Sequence, residues 1–444
     1  MPTIYFRRQQ LPLFLPADWY DKFNHVLWLL LALVMPWGQV QSTRFTSIFS
    51  ILLIVVGILG TPFVTSIRRL KAGKWWIGPW VMIYLIQILW LLKSNNLPEG
   101  IHYVGTRLGL LWIPLVLLLK PQKLPQWRRI SWIFGLSTLA VFGWMNREGL
   151  VWLQDCPICY IEILSALERP YLAPYLLGAG AMLISSYWPW GREADPRSDV
   201  NTKTETQLGI ALAALLMTLS LVVYAKMSTI SLVFALGVAS LVIFLRTKNR
   251  TKWALGLAGG FGLIWLLLMI VTPTLLAGTD LVDHSGVVSS AKTATQPFWI
   301  IESFRTRLQI WQVVGQSLAE NTNWLVGVGT GGVQNALHRH YCLVGIGYCH
   351  LQYNPHNQFL EFWLQMGILG LLLMFCWLGT LAYQAIKHQV YPLLIWLLYL
   401  TLCLSTECMI NREAGVLLIG LVTAGLWGIN QVRHQQNGLQ DPNA

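Results

Sequence analysis

His356 is the residue whose type and setting best suit proton transfer. It stands in Asn354-Pro355-His356-Asn357-Gln358-Phe359-Leu360-Glu361, a segment that closes a large polar loop and opens a long apolar run. Asn is a good N-cap and Pro a good first helical residue, so the spacing predicts a helix capped by Asn354, with His356 in its first turn. The positive end of a helix dipole disfavours imidazolium, and a neutral imidazole is what a general base needs. On position alone, a histidine satisfied by its own cap or anchoring an interface fits equally. Asn357 and Glu361 are the polar residues that would support it, with His338 upstream. Arg305 and Arg307 precede the histidine in a second helical pattern. A guanidinium fork grips phosphate oxygens in pairs and keeps its charge, so these arginines suit a diphosphate. Contact with lipid headgroups is the plainer use of the same charges.

Other candidates are weaker. His338, His340 and His350 could suggest zinc, but the His-x-His spacing lacks cysteine or acidic ligands at matching intervals. Gly327-Val328-Gly329-Thr330-Gly331-Gly332 allows tight turns. It lacks the Lys-Ser/Thr of a phosphate-binding loop, and is read as a turn between helix and site. Ser303 can cap a helix in which Phe304, Leu308, Trp311 and Leu318 recur at near-helical spacing, giving an amphipathic helix on a membrane surface.

The elements that must hold these residues are membrane spans. The chain is 55% hydrophobic and 11% charged, and runs of about 20 apolar residues, each enough to cross a ~30 Å core, recur along it. The expected fold is an all-α polytopic membrane protein with about twelve spans. They run Phe23–Trp37, Ile48–Ile67, Trp75–Leu92, Tyr103–Leu119, Ile130–Trp144, Tyr171–Tyr187, Leu208–Tyr224, Ile230–Leu245, Trp253–Val271, Pro355–Tyr383, Tyr391–Leu404 and Ala414–Ile429. Three regions follow: a bundle over 1–273, a large loop with amphipathic helices over 274–354, and a final bundle with tail over 355–444.

With the N-terminus inside, 20 Lys and Arg fall on inner segments, seven on short outer ones and four in the large loop. This bias puts both termini in the cytoplasm and the large loop outside. The net charge of +12 is therefore mostly topological, and its scatter over separate loops gives no nucleic-acid face. Lys226 and Arg412 then stand in short outer connections, where each could equally anchor a helix end. Arg107, near the outer end of the fourth span, is expected to line a groove for lipid access. Cys156 and Cys159, and Cys342 and Cys349, are also placed outside, where an oxidising compartment favours disulfides.

Arg307-Leu308-Gln309-Ile310-Trp311, then Gly327-Val328-Gly329, then Pro355-His356-Asn357-x-Phe359-Leu360-Glu361 and Gly367-Ile368-Leu369-Gly370 resemble the O-antigen ligase family in order and spacing. That family belongs to a superfamily of bacterial inner-membrane glycosyltransferases. The resemblance implies an active site facing the periplasm of a Gram-negative cell. It also implies transfer of a preassembled glycan from undecaprenyl diphosphate to a sugar hydroxyl of lipid A–core, without metal or other cofactor and with inversion. Carried over, His356 and Arg307 become catalytic, and Lys226, Arg305, Arg307 and Arg412 hold the diphosphate. Where the family has Ser-Arg or Thr-Arg, this chain reads Ala225-Lys226-Met227-Ser228, so the bidentate fork is lost there. An O-antigen polymerase with the same donor is the nearest rival, although polymerases usually show two substantial outer loops. A lipid or polysaccharide transporter is the rival of another class, expected to show internal repeats and mid-membrane charges.

Overall fold

The computed structural model describes residues 17–39, 44–61, 63–155, 172–187, 200–222, 298–320, 323–343 and 354–438. Among them every regular element is helical. In chain order they are α1 (Ala17–Val34), α2 (Arg44–Leu59), α3 (Phe63–Ala72), α4 (Lys74–Leu89), α5 (Leu97–Leu119), α6 (Leu124–Asp155) and α7 (Leu172–Tyr187). The second half gives α8 (Val200–Val222), α9 (Phe298–Ala319), α10 (Asn323–Val326), α11 (Val333–Leu343), α12 (Gln358–Lys387), α13 (Tyr391–Leu404) and α14 (Glu413–Gly438).

Four stretches are long and apolar enough to cross a membrane: Lys74–Lys93, Leu97–Leu119, Gln358–Lys387 and Glu413–Val432. They carry the expected third, fourth, tenth and twelfth spans. Shorter apolar helices at Leu172–Tyr187, Thr204–Ser220 and Tyr391–Leu404 fall on the sixth, seventh and eleventh. The second expected span is broken, because the chain bends by 108° between Phe45–Leu59 and Val64–Lys71. The eighth and ninth expected spans, Lys226, Cys156, Cys159 and Cys349 lie outside the described residues. Ile48, Ile51, Val55 and Ile58 of α2 are exposed, and an exposed apolar face of this extent belongs to a membrane protein.

α14 sits at the centre. Val416, Leu417, Leu418, Ile419, Leu421 and Val422 are all buried, so the helix is covered on every side, as an element apolar all round must be. It packs on α5 and α7. A smaller core is separate from this bundle: Ile310, Val313, Val314 and Leu318 of α9 meet Val333, Leu337 and Tyr341 of α11 and Leu364 of α12. The apolar stripe of α9 is thus rotated from the expected one. Leu318 is shared with it and Trp311 packs against its edge, but Leu308 is 43% exposed. α9 also begins at Phe298, so Ser303 lies inside the helix and does not cap it.

α12 is the element that joins the two cores. Its backbone leaves helical geometry at Gly367, with φ 66° and ψ −158°, a conformation that glycine reaches without a Cβ penalty. The break releases two carbonyls, and the glycine-rich turn uses them. Val328 N donates to Leu364 O at 2.7 Å, and Gly329 N to Gln365 O at 2.9 Å. The approach is too close for side chains: a Cβ on Gly327 would lie 2.4 Å from Gln365 O, and one on Gly367 2.1 Å from Leu325 O.

Candidate active site

The helix carrying the histidine starts three residues later than expected. Asn357, not Asn354, is the N-cap of α12, and its side chain accepts from Phe359 N and Leu360 N. Asn354 Oδ1 instead accepts from His356 N at 2.9 Å, a side-chain turn of the kind Asn favours. His356 therefore precedes the first turn rather than occupying it, with φ +44°. A non-glycine residue there costs about 1–3 kcal/mol and persists where the surroundings fix it. One fixing contact comes from α9: Trp311 Nε1 donates to Pro355 O at 3.1 Å.

Arg307 lies four residues before Trp311, on the same face of α9. Its Nε donates to Thr406 O at 3.4 Å, and its Nη2 to Glu407 Oε1 at 2.8 Å. The other oxygen of that carboxylate, Glu407 Oε2, lies 3.2 Å from His356 Nδ1. Glu407 thus bridges the arginine and the histidine, and the three side chains are between 16% and 27% exposed. Burial alone would push the Glu407 carboxyl up, but hydrogen bonding and charge from His356 and Arg307 outweigh it and hold the group below its usual range. The carboxylate therefore stays ionised near neutrality and places the proton of a neutral His356 ring on Nδ1, which makes Nε2 the basic nitrogen.

The sequence reading did not single out Glu407. The signal available was a lone acid, Ser405-Thr406-Glu407, in a short connection between two apolar runs. Of the residues expected at the site, Arg307 and His356 are brought together. Arg412 is exposed in the same connection, at the foot of α14. Arg305 is on α9, but its side chain is outside the described set, and His338 is exposed on α11. Glu361 is buried in the first turn of α12 and accepts from Gln365 Nε2 at 2.9 Å. Arg107 does not line a groove: it is fully buried between the rings of Tyr103 and Phe362. Among the described residues no three His, Cys, Asp or Glu side chains come together as a metal site.

Beside the triad is an apolar cleft of about 300 Å³, whose lining includes Trp311, Gly315 and Leu318 of α9, Trp324, and Leu360 and Trp363 of α12. Both inner indoles spend their N–H groups on backbone, Trp311 on Pro355 and Trp363 on Trp324 O at 2.9 Å. The walls they present are consequently apolar.

The family profile described as O-antigen ligase matches residues 212–375. That stretch holds Arg307, the glycine turn and His356. The match supports assigning the chain to the O-antigen ligase family. Glu407 lies beyond the matched stretch, as does Arg107. Membership implies a glycosyltransferase-like enzyme of the inner membrane acting on lipid-linked glycans. A separate likeness is local. Over 98 residues the chain is 34% identical to the probable 4-amino-4-deoxy-L-arabinose-phosphoundecaprenol flippase subunit ArnE of Escherichia coli O127:H6, covering 20% of this chain and 88% of that protein. ArnE of Escherichia coli O6:H1 matches to the same extent.

Proposed function

We propose that this member of the O-antigen ligase family transfers a preassembled glycan from undecaprenyl diphosphate to a sugar hydroxyl of lipid A–core, on the periplasmic face. The observation that carries the reading is the Glu407 carboxylate bridging Arg307 and His356. His356 Nε2 takes the proton of the acceptor hydroxyl as its oxygen attacks the anomeric carbon from the face opposite the diphosphate. The glycosidic C–O bond to the diphosphate breaks with inversion, and the leaving oxygen keeps the electron pair. Arg307 stabilises the charge developing there, the kind of preorganised electrostatic help that dominates many enzymes. Glu407 holds the imidazolium formed, which then returns its proton to solvent. Arg305, Lys226 and Arg412 are assigned to the diphosphate, and Asn357, Glu361 and His338 to support.

The apolar cleft on the same face of α9 as Arg307 supports a donor carried on an isoprenoid, with its head at the arginine and its first units against the tryptophans. The ArnE likeness is to a protein named for an undecaprenol-linked sugar, and it favours a second reading, lipid-carrier transport. Transport does not call for a carboxylate-oriented imidazole.

Reconstitution of the purified protein with undecaprenyl-diphosphate-linked glycan and lipid A–core tests the proposal. Lipid A–core bearing the whole glycan is the expected product. Longer lipid-linked chains with unmodified core would make the protein a polymerase, and movement of the donor across the bilayer without a covalent product would make it a transporter.

A further inference from the structure

Behind the triad lies a charge the mechanism above does not use. Arg107 of α5 has no exposed surface. Its Nη1 donates to Gln87 Oε1 of α4 at 3.0 Å and to Gln365 Oε1 of α12 at 2.7 Å, and its Nη2 to Asn411 Oδ1 at 2.5 Å. Gln365 passes the network on to Glu361 Oε1. Among the described residues no carboxylate forms an ion pair with the guanidinium. The bonds all go to neutral amides on three separate elements, an arrangement that fixes geometry through the planar fork.

The third element is the connection between α13 and α14, which carries Glu407. It is held at two adjacent residues near its α14 end. Asn411 is gripped by Arg107, and Ile410 N donates to Gln358 Oε1 at 2.8 Å, in the first turn of α12, just after the histidine. Gln358 Nε2 also reaches Asn411 Oδ1 at 3.4 Å. Between Asn411 and Glu407 sits Cys408, which is 3% exposed and hydrogen-bonded to the backbone of Asn357. The stretch is therefore laid against the turn that contains His356, and Arg107 is the only cation the structure seats on it from the bundle side among the contacts described.

We propose that Arg107 is a positioning residue for the site. Its fork fixes Asn411, and through it the 405–412 connection, so that Glu407 stays seated between Arg307 and His356. Arg107 touches none of the three. It acts by denying the connection the small displacements to which catalysis is sensitive: a misplacement of about 1 Å can cost ~10²-fold in rate.

Cys408 offers a readout that does not depend on any activity. Its thiol is inert where it lies, because burial pushes it well above the ordinary range and thiolate is the reactive form. Cys403, inside α13, is also buried and serves as the internal control. The experiment is maleimide labelling of the full-length protein in lipid nanodiscs, mapped by mass spectrometry, for wild type and Arg107→Gln, alongside the transfer assay, whose use rests on the proposed transferase reading. The expected result is Cys408 labelled and Cys403 protected in the variant, neither labelled in wild type, and kcat reduced about 10- to 100-fold with KM for the donor little changed. If Arg107→Gln does not fold, Asn411→Ala removes the acceptor, together with the longer contact from Gln358, and is read in the same way. Cys408 staying protected would overturn the proposal, as would Cys403 and Cys408 becoming labelled together. So would a loosened Cys408 with full transfer rate. Should wild type transfer nothing to any acceptor, the transferase reading fails by itself, and the labelling still decides whether Arg107 holds the connection.

Discussion

Arg307 and Arg107 both contact the connection between α13 and α14, yet the fold treats them in opposite ways. Arg307 is partly open and faces a carboxylate that it shares with an imidazole. Arg107 is sealed, faces amides, and is sandwiched by two aromatic rings. An ion pair that keeps part of its surface in water is weakened by screening, so its charges remain open to exchange with a charged substrate. A buried cation without its hydrogen bonds costs several kcal/mol, so its partners are fixed. In the proposed function one arginine meets the ligand, and the other holds architecture.

The contrast breaks most visibly at the histidine. His356→Ala is expected to lower the transfer rate by about 10²–10⁴, the usual contribution of a positioned base, with a melting temperature close to wild type. Rate and calorimetry on one preparation check both halves. Arg107→Gln is expected to reverse the pattern in stability, lowering it by about 1–3 kcal/mol for each buried amide oxygen it leaves without a donor. Arg307→Gln should shift it by no more than about 1 kcal/mol. Equal losses of melting temperature in the two variants would erase the distinction drawn here.

A third test sharpens the link between the two regions. Gly367→Ala places a Cβ 2.1 Å from Leu325 O at a φ of +66°, and should destabilise by more than about 1 kcal/mol. Because the same turn docks the segment 327–332, transfer should fall with it. The smallest effect is set by pH. The Glu407 carboxyl lies below its ordinary range in the folded protein, so the order it lends is fully present above the unfolded carboxylate pKa of ~4.3. That order is lost as pH falls through the lowered folded value. Transfer assayed from neutral pH downward should therefore fall with a step that Glu407→Gln removes.

Much of the site could be read in advance because its chemistry is local. Arg307 and His356 announce themselves by residue type at the edge of apolar runs. Glu407 did not, since its meaning depends on a contact with Arg307 that spans 100 residues of sequence. The helix start was misplaced because two asparagines flank Pro355-His356, and both satisfy the cap rule. The left-handed φ of His356 decides between them, and residue type does not encode it. The phase of α9 was missed because its buried face answers to α11 and Leu364, partners far along the chain. Arg107 was misassigned for a similar reason. Gln87, Gln365 and Asn411, polar residues within or beside apolar runs, were the available clue to a buried network.

The interruption at Gly367 also has a mechanical meaning. From Ile368 to Lys387 the helix is about 30 Å long at 1.5 Å per residue, enough to cross a bilayer without the turns above it. That lower piece can tilt to suit membranes of different thickness, while the upper piece, Gln358–Met366, stays locked to the glycine turn and the histidine. The joint is therefore expected to insulate the spacing of the reacting groups from changes in lipid composition.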